Sequence, residues 1–211
     1  VSYNRTNGTL DQSWSLSAVG DWSSVTTEGS MQSRTHGPSH ELTAIAGQSV
    51  SHDNKGNITS IPQSVRASGY DVSAEWDRDN RPSFIMQDNG FDTKNEAYLK
   101  YDALGRLVEY IDIGTNSTQV IYVHFGQQTL ADYGVGAAAS SPTYNYVYGS
   151  YIDEPVLRVT PSSSTKVYFH RNQQYSITAL TNSSGTTLER YAYSAYGVPT
   201  IMSATGVPQP K

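Results

Sequence analysis

The chain has 211 residues, a formal net charge of −5 and no cysteine. The absence of cysteine excludes disulfides and thiolate metal sites, and the acidic balance without a basic cluster argues against nucleic acid as a partner. No apolar run is long enough to predict a transmembrane segment.

The composition favours an all-β fold. Tyrosine occurs 16 times, whereas charged residues make up only 16% of the chain. This balance suits twisted antiparallel sheets, in which tyrosine, threonine and serine occupy half-exposed faces, better than helices rich in glutamate, lysine and alanine. A chain of this length is long enough for a substantial buried core.

Strand and turn signals alternate along the chain. Residues 13–45 predict successive strands with a loop at Gly37-Pro38, and residues 120–125, VIYVHF, form the most strand-like hexad. Segment 134–142, GVGAAASSP, predicts a surface loop despite its alanine run, because glycine and proline flank it. We therefore predict one sheet unit, residues 1–201, followed by a Pro/Gly-rich tail, residues 202–211.

One β-hairpin is predicted most clearly, over residues 100–111, KYDALGRLVEYI. Tyr101 closes the first strand, and Asp102 begins a tight turn by accepting hydrogen bonds from backbone amides ahead of it. Gly105 supplies the positive φ that the turn requires. Arg106 begins the second strand, whose side chains alternate between the two faces.

The same frame recurs at a nearly fixed spacing. Copies at His52, Trp76 and Tyr101 lie 24 and 25 residues apart, which accommodates two strands and two connections. Such a period predicts a repeat architecture in which each unit needs neighbours to bury its face. The residues assigned to the repeated frame are Tyr101, Asp102, Gly105, Arg106, Trp76, Asp77, Asn80, Arg81, His52, Asp53, Gly56, Gly20, Tyr193 and Gly197.

These residues resemble the Rhs/YD-repeat family, which is named for this Tyr-Asp…Gly-Arg frame. The resemblance covers residues 13–201, and a second passage at 148–158, followed by 168–171 and 176–181, is similar to the late core region of such proteins. The resemblance implies a sheet that coils into a hollow shell, as in bacterial Rhs toxins, insecticidal toxin complexes and teneurins. The fold that we predict is therefore a series of consecutive antiparallel β-hairpins in a coiled sheet, as part of a shell, spiral or tube.

The polar clusters do not predict a metal site or a cofactor. His36 and His40 have the spacing of metal ligands on a helix, but Gly37-Pro38 between them excludes that helix. Asp53 resembles the start of a calcium loop, yet Lys55 occupies the third position, where such a loop places an oxygen ligand. The aspartates of the frame are better explained as turn-capping residues.

Two further groups could act on carbohydrate. Asp153-Glu154 is the most pointed candidate for a glycosidase carboxylate pair, but the following Pro155 indicates a turn or bulge. Tyr144, Tyr146 and Tyr148 lie on one face of a predicted strand and could stack on sugar rings. Cross-strand aromatic packing is the simpler interpretation of this tyrosine ladder.

Three functions remain open. The chain could be a non-enzymatic structural unit that self-associates into an extracellular or cell-surface β-shell, tube or filament, because unpaired edge strands tend to pair with another chain. It could be a fragment of an Rhs-type shell that encapsulates a toxin domain, although the family's Asp-Pro-x-Gly self-cleavage element is missing after Ile201. It could also be a carbohydrate-binding adhesin module. The expected partners are copies of itself, a toxin domain or polysaccharide.

Overall fold

The computed structural model describes residues 2–3, 11–66, 68–91, 93–114, 117–151, 154–194 and 197–209. In these ranges no residue lies in an α-helix, and no helix could cross a membrane. One 3₁₀ turn, Gln63–Val65, accompanies the strands. The strands are β1 (Ser2–Tyr3), β2 (Gln12–Leu16), β3 (Trp22–Thr27), β4 (Ser30–His36), β5 (Leu42–Ile45), β6 (Gln48–Ser49), β7 (Ser51–His52), β8 (Ile58–Ile61), β9 (Asp71–Trp76), β10 (Pro82–Asp88), β11 (Thr93–Tyr101), β12 (Leu107–Asp112), β13 (Thr118–Phe125), β14 (Gln128–Gly134), β15 (Tyr144–Tyr148), β16 (Pro155–Thr160), β17 (Thr165–Arg171), β18 (Ile177–Thr181), β19 (Thr187–Tyr193) and β20 (Pro199–Ser203).

Contacts divide the chain into two compact units. The first comprises residues 1–99 and 111–118, and the second comprises residues 100–110 and 119–211. Within each unit the strands are antiparallel and hydrogen-bonded in chain order, and β1 to β6 of the first unit form a separate sheet. The prediction of an all-β fold built from consecutive antiparallel hairpins is confirmed. The boundary after residue 201 stays a prediction.

The register of β13, β14 and β15 defines two faces in the second unit. Tyr122 pairs with Asp132, and Asp132 pairs with Tyr144, so these three side chains lie side by side on one face. Val123 pairs with Ala131 on the opposite face. We call the face that carries Tyr122, Asp132 and Tyr144 the polar face. The opposite face is mixed, since Ile121 pairs with Tyr133 and Ala131 pairs with Asn145.

Few side chains in the described residues are buried, and none is fully enclosed. Most strand residues are half-buried, because their contacts come chiefly from the strands on either side. This pattern is typical of repeat sheets, in which each unit is stabilised by its neighbours. The buried apolar residues are Trp14, Ile45, Val50, Ala131, Val167 and Leu180.

Candidate functional site

A five-residue turn frame joins β11 to β12 and begins at Asp102. The Asp102 N–H donates to the Arg106 carbonyl, and the Gly105 N–H donates to the Asp102 carbonyl, both at 3.0 Å. Gly105 has a φ of 80°, in the left-handed region. This arrangement matches the three-residue hairpin loop that combines a type I turn with a left-handed residue.

The Asp102 side chain holds the turn closed. Its Oδ1 accepts the backbone N–H groups of Leu104 and Arg106, each at 2.9 Å, and its Oδ2 lies 2.6 Å from both Nε and Nη2 of Arg106. The Arg106 backbone N–H contributes most to lowering the pKa of Asp102 below its ordinary value, and the Arg106 side chain adds to the effect. The Asp102 carboxylate therefore stabilises the turn through hydrogen bonds to its backbone and an ion pair with Arg106.

The turn at Asp77 repeats this geometry. Asp77 Oδ1 accepts the N–H groups of Asp79 (2.8 Å) and Arg81 (3.0 Å), and Oδ2 accepts Arg81 Nε at 2.7 Å. Asn80 takes the left-handed position with a φ of 60°. The Arg81 backbone N–H is the main cause that lowers the pKa of Asp77. Asparagine can replace glycine here because it tolerates left-handed geometry better than other side chains.

In the turn at Asp53, an amide replaces the guanidinium. Asp53 Oδ1 accepts the N–H groups of Lys55 and Asn57, and Oδ2 accepts Asn57 Nδ2, all at 2.9 Å. The Asn57 side chain is the largest cause that lowers the pKa of Asp53. Gly56 has a φ of 86°. The shared requirement is thus an oxygen at the first position and a left-handed residue at the fourth.

The same two backbone bonds close nine turns in the described residues, and the fourth residue has a positive φ in each. An oxygen-bearing side chain at the first position accepts the N–H of the fifth residue in all but one of them. The first residues are Ser17, Gly37, Asp53, Asp77, Asp102, Asn172, Asn182, Ser194 and Ser203.

Sequence reasoning missed three of these turns. Gly37 has no side-chain oxygen, and the Glu41 carboxylate accepts a backbone N–H of that turn instead. The turn at Asn172 has a tyrosine in its left-handed position, so no glycine marks it. Ser203 lies in the segment interpreted as a tail, where its spacing from Gly206 was the signal that could have revealed the turn.

Neighbouring turns of the first unit contact each other. Lys55 Nζ donates to the Arg78 carbonyl at 2.7 Å, and Asn57 Nδ2 donates to Asn80 Oδ1 at 3.0 Å. A further turn-to-turn contact joins the side chains of His40 and Asp21, and this hydrogen bond raises the pKa of His40. The period of about two strands therefore corresponds to a physical ladder of turns along the sheet.

Ring side chains that lie just before a turn link consecutive repeats. Each ring donates to a backbone carbonyl in the strand that follows the preceding turn at the same end of the sheet. That carbonyl belongs to the residue five positions after the first residue of that turn. These contacts join Trp76 Nε1 to Ile58 O (2.8 Å), His124 Nε2 to Leu107 O (2.7 Å) and Tyr193 Oη to Ile177 O (2.8 Å). A ring with a polar atom can pack on the neighbouring strand and satisfy its backbone at the same time.

A buried carboxylate lies on the polar face of the second unit. Asp132 is 8% exposed, and its Oδ2 accepts the Tyr146 hydroxyl at 2.7 Å, whereas its Oδ1 has no hydrogen-bond partner. Burial raises the pKa of Asp132, and the Tyr146 bond and the charges of Arg158 and His124 partly oppose this rise. Burial and the Asp132 carboxylate also raise the pKa of Tyr146, which keeps its phenol a hydrogen-bond donor.

The predicted sugar-stacking tyrosines lie in β15 and are half-buried, whereas the residues between them are exposed. The Arg158 guanidinium carbon lies 4.4 Å from the centre of the Tyr144 ring, and the Tyr146 hydroxyl bonds Asp132. Tyr148 lies on the same side of the strand. These contacts favour packing within the sheet over an open sugar platform.

The other candidate residues are held in structural contacts. Glu154 forms an ion pair with Arg171, and its Oε2 accepts the Tyr151 N–H at 3.0 Å. Asp153, the other half of the predicted carboxylate pair, lies outside the described residues. His40 contacts Asp21 and does not form a pair with His36. The described ranges contain no group of three acidic, histidine or cysteine residues that could hold a metal.

No family model matches the chain. The chain is 26% identical over 209 residues to the tRNA3(Ser)-specific nuclease WapA of Bacillus spizizenii. The aligned region covers 97% of this chain and 8% of that protein. It is 25% identical over 166 residues to the tRNA nuclease WapA of Bacillus subtilis (strain 168). That aligned region covers 79% of this chain and 6% of that protein. The chain thus spans less than a tenth of the length of these curated relatives.

Among solved structures, the crystal structure of TcdB2-TccC3 matches with a TM-score of 0.50 and 10% identity over 92% of this chain and 14% of that chain. At this level of identity the similarity shows the fold alone. The WapA relatives and this Tc toxin neighbour are consistent with an Rhs-like β-shell.

The left-handed position of the turn frame gives a stability test. Gly56→Ala should lower the free energy of unfolding by about 1–2 kcal/mol, because an added Cβ meets no atom within 4 Å and the left-handed φ alone carries the cost. Gly134→Ala is the matched control, since Gly134 lies outside the left-handed region and its added Cβ would lie 4.0 Å from Thr143 Oγ1. Urea unfolding measures both, and equal losses would contradict the role of φ.

The Asp132 site gives a pH test. Because burial raises the folded-state pKa of Asp132, the folded state binds its proton more tightly than the unfolded state, and stability falls as the pH rises through the folded pKa. Asp132→Asn should therefore be at least as stable as the native chain at neutral pH, with an advantage that shrinks in acid. Tyr146→Phe should lose about 1–3 kcal/mol at neutral pH by leaving the carboxylate unpaired. Denaturant unfolding across pH measures both, and an Asp132→Asn variant that is less stable only at neutral pH would refute this account.

Proposed function

We propose that the chain is a structural segment in the wall of an Rhs-like β-shell and has no enzymatic activity of its own. The observation that carries this proposal is the turn frame, which recurs nine times in the described residues and links neighbouring repeats. A frame of this kind can extend a sheet without limit, because each repeat contacts only its neighbours. The similarity to WapA proteins and to a Tc toxin structure supports the same role.

The polar groups favour structure over catalysis. The carboxylates of Asp53, Asp77 and Asp102 accept backbone N–H groups, and those contacts lower their pKa values. A general acid or base needs a pKa near the working pH, so these groups are poorly suited to proton transfer. The nuclease names of the relatives describe proteins more than ten times longer than the matched segment, and we assign no nuclease activity to this segment.

We propose that the complete wall encloses a toxin domain and that the protein acts in the extracellular space or at the cell surface. The WapA relatives and the Tc toxin neighbour are the support for this view. The tyrosine and arginine contacts on the polar face give no support to the adhesin alternative.

We further propose that the sheet extends by strand addition at β20. The outer edge of this strand already pairs with the backbone of the residues that follow it. Met202 forms a bridge with Pro208, and the Gln209 N–H donates to the Ile201 carbonyl at 2.9 Å. In an antiparallel pair, the N–H and C=O of one residue point to the same side. Ile201 therefore presents both groups away from β19. Since its carbonyl already accepts the Gln209 N–H, a strand added at this edge would take the place of residues 207–209.

The coding sequence on both sides tests the shell proposal. A wall segment should be flanked by further copies of the frame, an oxygen-bearing residue followed three positions later by Gly or Asn, at intervals of roughly 20–25 residues. Sequencing the adjacent coding region gives the answer. Flanks without any such copies, or flanks that encode an unrelated helical enzyme, would contradict the proposal.

Strand addition at β20 is tested with Ile201→Pro. Proline removes the outward N–H while leaving the bonds between β19 and β20, so edge-to-edge association between chains should weaken. Ile201→Thr is the control, because it changes the side chain but keeps the N–H. Sedimentation velocity across a concentration series measures association, and equal behaviour of the two variants would argue against this edge.

A further inference from the structure

The hairpin turns at one end of the second unit each present a large apolar side chain to solvent. Strands alternate in direction, so every second turn lies at the same end of the sheet. Five turns follow one another there: 102–106, 125–128, 149–154, 172–176 and 194–198. Their exposed side chains are Leu104 (78% exposed), Phe125 (75%), Tyr151 (53%), Tyr175 (44%) and Val198 (56%), which together we call the apolar rim.

The apolar rim is continuous, because each of its turns contacts the next turn or the strand beside it. Arg106 Nη1 donates to the Gly126 carbonyl, and Gln128 Nε2 donates to the Tyr151 carbonyl at 3.4 Å. The rings of Tyr151 and Tyr175 stack with centroids 5.0 Å apart. The Tyr193 hydroxyl bonds the Ile177 carbonyl and so joins the last turn to the one before it.

The turn frame holds these side chains in place before any partner binds. The Leu104 N–H donates to Asp102 Oδ1, and this turn is closed by two backbone bonds. The Tyr175 backbone is fixed by its N–H bond to the Asn172 carbonyl, and the Arg171 guanidinium lies 5.4 Å from the Tyr175 ring centre. Groups that are already ordered lose little conformational entropy on binding, so the rim is pre-organised as a contact surface.

At this end of the second unit every one of the five turns presents a large apolar side chain, whereas elsewhere in the described residues such side chains are interrupted by polar turns. In the first unit, the frame position that corresponds to Leu104 is exposed in all four copies and apolar in one, since it holds Val19, Ser39, Lys55 and Asp79. At the opposite end of the second unit, turns 160–165 and 182–186 consist mostly of serine and threonine. Exposed apolar residues such as Val135 and Val207 occur at other turns of this end, but these polar turns separate them. The rim differs because five successive turns each present one, and this continuity needs a separate explanation.

The charges near the rim favour a protein partner. The carboxylates of Asp102 and Glu154 are each paired with an arginine, and the five turns contain no lysine. A surface for anionic lipid would carry unpaired basic residues instead. The centre of a protein interface is typically rich in tyrosine, phenylalanine and arginine and poor in lysine, as these turns are.

We propose that the apolar rim is an interface between two copies of this chain. Turns at the same end lie two strands apart, about 9–10 Å, so the side chains of the rim repeat at that interval. A second rim related by a two-fold axis has the same interval and can place its side chains between those of the first. The proposal rests on the assembling role proposed above but uses the ends of hairpins rather than the edge of β20.

The area of the apolar rim is sufficient for a weak, specific dimer. Three aromatic and two aliphatic side chains at these exposures present on the order of 500 Å² of surface, which is near the largest apolar patch of an ordinary monomer. Two copies would bury about 1,000 Å² in total, the lower end of the range for specific interfaces. The contact should therefore be reversible and depend on concentration.

The experiment is sedimentation equilibrium of the full chain with two rim substitutions, Leu104→Ser and Phe125→Ser, made together. The native chain should show a concentration-dependent dimer, and the double variant should weaken dimerisation by at least about tenfold. Val135→Ser is the matched control, since Val135 is 62% exposed in the connection at the opposite end of the second unit. Circular dichroism should remain unchanged in all variants, because the substituted side chains are exposed.

Comparison with Ile201→Pro separates this inference from strand addition. Dimerisation that survives Ile201→Pro but not the double rim variant supports the rim and removes β20 as the contact. The reverse result overturns the rim inference and leaves strand addition standing. The inference is also overturned if the native chain stays monomeric, or if Val135→Ser weakens dimerisation as much as the double rim variant does. Binding to phosphatidylserine vesicles that depends on the rim, without any dimer, would overturn it as well.

Discussion

The two backbone hydrogen bonds that close each turn are the constraint on which the sheet depends. Side chains alternate along a strand with a period of two, so a shift of one residue would move every side chain to the other face. The bonds between Asp102, Gly105 and Arg106 fix that register at one hairpin, and eight further turns fix it at others in the described residues. The placement of Asp132 beside Tyr146 follows from such fixed registers.

The same constraint explains why acidic residues can be frequent without creating an active site. A carboxylate at the first position of the frame satisfies two backbone N–H groups that the tight turn would otherwise leave without a partner. Arg106 and Arg81 then neutralise that charge within their own turns. Asparagine or serine serves at other turns, so the frame does not require the negative charge. The turn at Gly37 closes without a side-chain oxygen at the first position.

The sequence predicted the parts of the structure that local chemistry determines. The turns at Asp53, Asp77 and Asp102 were predictable because an aspartate and a glycine or asparagine mark them within four residues. The turn at Asn172 was not, because Tyr175 adopts a φ of 62° and its ring stacks on Tyr151 from a neighbouring turn. The burial of Asp132 was equally hidden, since it arises from β13 and β15, which no local pattern aligns with β14.

The frame also separates the residues that build the sheet from those that are free to vary. Its first and fourth positions are restricted to oxygen-bearing and left-handed residues, with few exceptions. Its third position is exposed in every described copy, and in the turn at Asp102 it contributes its N–H to the turn. Across the copies this position carries Val19, Ser39, Lys55, Asp79, Leu104, Gln174, Ser184 and Thr205. Because closing the turn uses the N–H of this position, its side chain can differ from copy to copy, and some copies use it for a further contact, as Lys55 does with the Arg78 carbonyl. A sheet of similar turns can therefore present a charged surface along one stretch and an apolar surface along another.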